Sequence, residues 1–195
     1  MDDGVIKFSL EWREGEAPNC EGLGDLIHWR DRMYDLGLIG HDHKYDVGFG
    51  NISMLSRKDQ FIISGTQTGH IPKLGPEYYT EVIDYNIAEN RLTCMGPVKA
   101  SSESLTHAAI YEANAEIRAV IHIHHDQQWE SWLNKIPTTD ENVPYGTPEM
   151  AYEIHRLFNE NRSMNVLAMA GHQGGLIAFG KNLEEAARPF LEVFA

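Results

Sequence analysis

The stretch Ala119-Val120-Ile121-His122-Ile123-His124 constrains the fold more than any other. It is β-branched and apolar apart from its histidines, so it reads as a strand. In a strand, residues i and i+2 share a face. Ile121 and Ile123 therefore point one way, and His122 and His124 point the other. Two imidazoles side by side on an otherwise apolar strand are costly unless they hold something. A histidine pair facing solvent on an amphipathic strand is the plainer alternative.

The remaining pattern supplies partners for that strand. Ile6 to Trp12 alternates apolar and polar residues and predicts a half-buried strand. Residues 22–36 carry apolar positions at helical spacing, with Gly37 as a stop. The stretch from Gly40 to Asp46 reads as a loop. Val47 to Leu55, Gln60 to Ser64, Glu81–Tyr85 and Arg91–Met95 read as strands. Ser101 to Asn114, Asp126 to Asn134, Pro148 to Asn161 and Leu183 to Phe194 read as helices. Val166 to Ala170 and Leu176 to Phe179 are apolar strand runs on either side of Gly171-His172-Gln173-Gly174-Gly175. Short strands beside several helices predict an α/β layer fold with a mainly antiparallel sheet. With 195 residues and neither linker nor repeat, one domain over 1–195 is expected.

Charge narrows the function. Sixteen Lys and Arg against 29 Asp and Glu leave a formal net charge of −13. That disfavours nucleic acid and anionic membrane surfaces, both of which need clustered cations. It still permits one small phosphorylated ligand held by a few local donors. The two cysteines, Cys20 and Cys94, make neither a disulfide framework nor a cysteine-based zinc finger. Met1-Asp2-Asp3-Gly4 lacks the basic and apolar blocks of a secretory signal. No apolar run approaches the roughly 18 residues of a membrane span. A cytoplasmic location is the expectation.

Ten histidines is a high count. A catalytic zinc needs three protein ligands and an open position, so His122 and His124 need a third. His172 follows an apolar strand and precedes glycines that let the backbone approach closely. His107 competes, four residues after Glu103 on a helix, and His41-x-His43 is a second pair in a polar loop. Glu103 falls in the first turn of its helix. There it either complements the helix dipole or serves as a general base. Gly50-Asn51, Gly65-Thr66-Gln67-Thr68-Gly69 and Ser101-Ser102 offer backbone and hydroxyl donors, and together they can cradle a phosphate without a lysine.

Taken in order, Gly50-Asn51-Ile52-Ser53, Thr66-Gln67-Thr68-Gly69, Ser101-Ser102-Glu103, His122-Ile123-His124, Gly146-Thr147 and the stretch from His172 to Ala186 resemble the class II (zinc-dependent) aldolase/adducin family. The resemblance covers about residues 23–187. It implies a three-layer α/β fold and commonly a homotetramer. It implies Zn2+, or another divalent metal, on His122, His124 and His172, with Glu103 as acid/base. Gly50, Asn51, Thr68, Gly69, Ser101 and Ser102 would line the substrate phosphate site. The implied activity is that of a metal-dependent lyase, making or breaking a carbon–carbon bond of a small phosphorylated sugar or hydroxy-carbonyl compound through a metal-stabilised enediolate. The family also holds epimerases, dehydratases, decarboxylases and non-catalytic adducin-type modules. Two local features depart from its sugar-phosphate aldolases. The segment Pro137 to Tyr145 is shorter than the one that carries their proton-donating tyrosine, which leaves Tyr145 as a substitute. Gln173-Gly174 is a two-residue insertion between His172 and the final strand.

Overall fold

The computed structural model describes residues 5–44 and 46–195. Its ten strands are β1 (Ser9–Glu14), β2 (Gly40–Asp42), β3 (Val47–Phe49), β4 (Asn51–Arg57), β5 (Gln60–Ser64), β6 (Tyr79–Asn86), β7 (Arg91–Gly96), β8 (Ala119–His124), β9 (Val166–Ala168) and β10 (Gly175–Gly180). Its helices are α1 (Leu23–Asp35), α2 (Ser104–Ala113), α3 (Asp126–Trp132), α4 (Pro148–Glu160) and α5 (Leu183–Phe194).

Eight strands form one sheet in the order β1-β7-β6-β5-β4-β8-β10-β9. Only β1 and β7 run parallel; every other neighbouring pair is antiparallel. The sheet alternation sorts side chains into two cores. On one face Val120, Ile177, Phe179, Phe61 and Ile63 pack against Ala109 and Leu105 of α2 and Ile154 and Phe158 of α4. On the other, Ile121, Ile123, Leu176, Ala178 and Ile62 pack against Leu26 and Met33 of α1 and Phe190 of α5. Each such side chain removed from water contributes roughly 1.5–3 kcal/mol. Helices on both faces of a mainly antiparallel sheet give the expected three layers.

Caps fix where the helices start. Thr147 accepts from the Met150 amide at α4 with Pro148 in its first turn, and Asn182 accepts from the Glu185 amide at α5. Glu103 occupies the same position before α2, yet its side chain makes no cap bond.

Several expected boundaries shift. The N-terminal strand covers Ser9–Glu14 instead of Ile6 to Trp12. Ile6 and Phe8 instead pack against the core ahead of it. The run from Val47 to Leu55 is two strands, because Gly50 sits at φ 74°, where a strand cannot continue. A Cβ there would lie 2.8 Å from Ile39 Cγ1 and 3.0 Å from His122 O, so the break lets β4 enter beside β8. Gly40–Asp42, expected as loop, pairs with β3 as a hairpin. The helix expected from Ser101 starts at Ser104, which places Glu103 ahead of the first turn instead of in it. No helix among the described residues is long and apolar enough to cross a membrane.

Candidate active site

β8 lies between β4 and β10, pairing His122 with Asn51 on one side and Ile177 on the other, and His124 with Gly175. His122 is therefore buried in the sheet, at 1% exposure, and the solvent-facing alternative falls. Its Nδ1 lies 3.1 Å from Leu176 O. A carbonyl only accepts, so Nδ1 carries the hydrogen and Nε2 carries the lone pair. That Nε2 lies 3.1 Å from His124 Nε2, which lies 3.0 Å from His172 Nε2.

His172 reaches the pair from the turn before β10. Gly174 holds that turn at φ 77°, and the Gly175 amide donates to His172 O at 2.9 Å. A Cβ at Gly175 would lie 2.7 Å from His172 Cδ2 and 3.3 Å from His122 Cε1, so only glycine lets both rings lie against this backbone. The inserted Gln173-Gly174 thus forms the turn and does not displace the histidine.

Glu103 completes the group. It is 3% exposed. Its Oε1 lies 3.4 Å from His172 Nε2 and 4.0 Å from His122 Nε2, while its Oε2 accepts from Thr106 Oγ1 at 3.0 Å. His107 takes no part in this group. It is fully buried, and its Nδ1 shares a 2.7 Å hydrogen bond with Ser53 Oγ, which also bonds Tyr111 OH at 2.7 Å. The expected side-chain pairing of Glu103 with His107 is replaced by a backbone bond, the His107 amide donating to Glu103 O. His125 caps α3 through Nδ1. Among the described residues, the His122, His124 and His172 nitrogens are the one set of three ligand atoms that converge.

Burial holds all three imidazoles neutral. It pushes His122 down to about 4. Burial, then the charges of His172 and His122, lowers His124 well below its ordinary value. Burial, then His122 and Lys7, does the same to His172. Three neutral imidazoles gathered nitrogen to nitrogen, with a carboxylate beside them, fit a divalent cation: each ring can turn a lone pair to it, and Leu176 already orients one.

Gly50, Asn51, Thr68, Gly69, Ser101 and Ser102 line the same pocket as Glu103 and the three histidines, so the structure brings every expected site residue together. Phe49, Thr66 and Gln67 join them. Gly69 has no room for a side chain, because a Cβ would collide with the Gly40 carbonyl of β2. Asn51 Oδ1 is buried and has no hydrogen-bond partner within the chain. Tyr145 packs against His172 with ring centroids 4.5 Å apart and planes tilted by 38°, and Lys7 Nζ sits 3.7 Å from the Tyr145 centroid. Sequence reasoning missed Lys7. It reads as the polar side of a half-buried strand, and nothing local ties residue 7 to residue 145.

Residues 31–193 match the family described as Class II Aldolase and Adducin N-terminal domain. The chain belongs to the class II aldolase/adducin family. No curated protein matches its sequence. Among solved structures, an L-fuculose 1-phosphate aldolase superposes with a TM-score of 0.67 at 17% identity, over 91% of this chain and 83% of that one. YgbL of Klebsiella pneumoniae, described as aldolase, epimerase or decarboxylase without a choice among them, gives 0.66 at 18% identity, over 90% and 87%. The L-fuculose-1-phosphate aldolase of Thermus thermophilus gives 0.55 at 20% identity, over 87% and 93%. At these identities the likeness establishes the fold.

The buried histidines set a pH dependence for the metal-stripped protein. Each is harder to protonate folded than unfolded, so at acid pH the unfolded chain holds more protons. Stability is therefore full above the ordinary histidine value of 6.5 and falls as pH drops from there toward about 4, the value for His122. In excess chelator, urea unfolding at pH 5 is expected to show a lower midpoint than at pH 7.5. Equal midpoints would mean that the histidines protonate freely in the folded chain.

Proposed function

We propose that this chain is a metal-dependent lyase that makes or breaks a carbon–carbon bond in a small phosphorylated sugar or hydroxy-carbonyl compound. His122, His124 and His172 hold the metal, zinc or another divalent cation that imidazole suits, and Glu103 is the acid/base. The observation that carries this reading is a buried carboxylate oxygen 3.4 Å from a converging imidazole nitrogen. A capping or dipole role would leave that oxygen at the helix end, whereas here it faces the place where a substrate would bind.

A divalent metal in this position supplies Lewis acidity, drawing electron density from carbonyl and hydroxyl oxygens and stabilising the charge that develops as the bond breaks. The chain's own residues do the rest. Glu103 takes or returns the proton at the reacting group. The backbone amides of Gln67–Gly69 and the hydroxyls of Ser101 and Ser102 hold the phosphate. The Asn51 amide offers its buried oxygen to a substrate hydroxyl. Tyr145, packed against His172, holds that ring from behind. The family's habit supports a homotetramer, and the composition supports a cytoplasmic enzyme.

The same residues serve epimerisation, dehydration or decarboxylation, since each begins by polarising an oxygen at the metal. A substrate panel decides among them. Zinc-loaded protein is expected to release an aldehyde from one of a set of ketose 1-phosphates. Ser102→Asp should lower kcat/KM for that compound on the order of 100-fold by opposing the phosphate, with bound zinc unchanged. Turnover confined to unphosphorylated keto- or hydroxy-acids would contradict the phosphate reading. Inertness of the zinc-loaded protein toward the whole panel would favour the non-catalytic, adducin-type alternative.

A further inference from the structure

Arg30 lies on α1, outside the matched family segment, and is only 1% exposed. A buried guanidinium is costly unless its donors are satisfied. Its carboxylate neighbour, Asp31, lies at 3.6 Å, beyond hydrogen-bond length, and also meets Lys73 at 3.7 Å, which has Asp35 closer at 3.2 Å. The short bonds go to backbone instead: Nη2 donates to Thr68 O at 3.0 Å and Nη1 to Pro72 O at 3.1 Å. Both carbonyls belong to the loop after β5, whose Thr66–Gly69 stretch lines the pocket. The other residues this helix buries, Leu23, Leu26 and Met33, are apolar, so packing alone did not call for a cation here.

Two consequences follow from peptide geometry and charge. The Thr68–Gly69 bond is trans. The C=O and N–H of a trans peptide point in opposite directions. Anchoring Thr68 O on Arg30 thus directs the Gly69 N–H away from α1. In addition, the described residues that line the pocket include no lysine or arginine, and the chain carries a net charge of −13. Beside the divalent cation of the proposed function, a buried guanidinium behind the wall adds favourable potential for an anion in this pocket.

We propose that Arg30 is the positioning residue of the anion-binding loop: without touching the ligand, it ties Thr68 and Pro72 back and sets a buried guanidinium behind the amides that meet the phosphate. The inference rests on the reading of this loop as the phosphate site. Arginine is required because its planar fork spans two carbonyls, whereas a lysine ammonium is a point donor.

The test is calorimetric titration of zinc-loaded protein with inorganic phosphate, beside a separate measurement of zinc affinity. Arg30→Met keeps the volume and is expected to weaken phosphate about 10- to 100-fold, with zinc affinity within about twofold of the parent. Arg30→Lys should fall between, a graded rescue that a purely space-filling role would not give. Should Arg30→Met fail to fold, Arg30→Lys carries the test alone: weakened phosphate with zinc retained supports the proposal, and unchanged phosphate overturns it. A folded Arg30→Met that binds phosphate like the parent overturns the role of Arg30 and leaves the phosphate site standing. Equal loss of zinc and phosphate in both variants also overturns it, making Arg30 a general scaffold. A parent that binds no phosphate overturns the phosphate site itself, and this inference with it.

Discussion

Glu103→Gln is expected to cost about 10²- to 10⁴-fold in kcat on whichever substrate the panel identifies, the usual worth of a positioned acid or base. The amide keeps the size of the carboxylate and can still accept from Thr106 Oγ1, which now meets Oε2 at 3.0 Å. Metal affinity and fold should therefore survive. The structure gives a reason to expect a large effect. Residue 103 sits where a serine or aspartate would cap α2, a contact worth roughly 0.5–2 kcal/mol. Its side chain forgoes that bond and faces the imidazoles instead. A residue that gives up local stability for a position in the site is the kind whose loss is felt in turnover more than in folding. Undiminished kcat in Glu103→Gln would remove it from the mechanism.

The second large effect is on metal. Zinc binding in small protein sites is worth about 10–16 kcal/mol spread over three or four ligands, so one ligand is worth on the order of 3–4 kcal/mol. His122→Ala and His172→Ala should each lower zinc affinity about 10²- to 10³-fold. His122 is the more informative change, because its Nδ1 bond to Leu176 O holds the ring in one tautomer and one orientation. His107→Ala is the contrasting control. It breaks the chain of hydrogen bonds through Ser53 to Tyr111, so it should lower thermal stability and leave metal affinity nearly unchanged. Loss of zinc in His122→Ala and its retention in His172→Ala would move the third ligand elsewhere.

The fold and the site were unequally legible in the sequence. β8 stands where Ala119-Val120-Ile121-His122-Ile123-His124 placed it, because strict β-branched alternation has one physical solution in a two-sided core. β5 and α5 likewise fall on their expected bounds. The failures are long-range. Gly40–Asp42 becomes a strand through pairing with β3, and a glycine followed by two polar residues carries no periodicity to announce it. The start of β1 is set by pairing Ser9 with Arg91, not by the alternation that begins at Ile6. At the site, residue types and glycine turns raised the histidine pair and the donor loops separately, and the family resemblance joined them into one pocket. Residue types alone left the third imidazole open between His172 and His107, and only the tertiary fold brings His172 to the pair. The roles of Arg30 and Lys7 were invisible for a related reason, although Arg30 falls on the helical stripe with Leu26 and Met33. Each acts on a backbone carbonyl or a ring face far away in sequence, and neither belongs to a motif.

Three imidazoles and no other side chains are expected to gather a metal beside Glu103. X-ray absorption at the zinc edge tests it most directly, on protein loaded with zinc and freed of excess. The account predicts about one zinc per chain, with three nitrogen neighbours of imidazole type and the remaining positions filled by oxygen. That pattern should collapse in His122→Ala. A shell of oxygen alone, a sulfur neighbour from Cys20 or Cys94, or no retained zinc would contradict it.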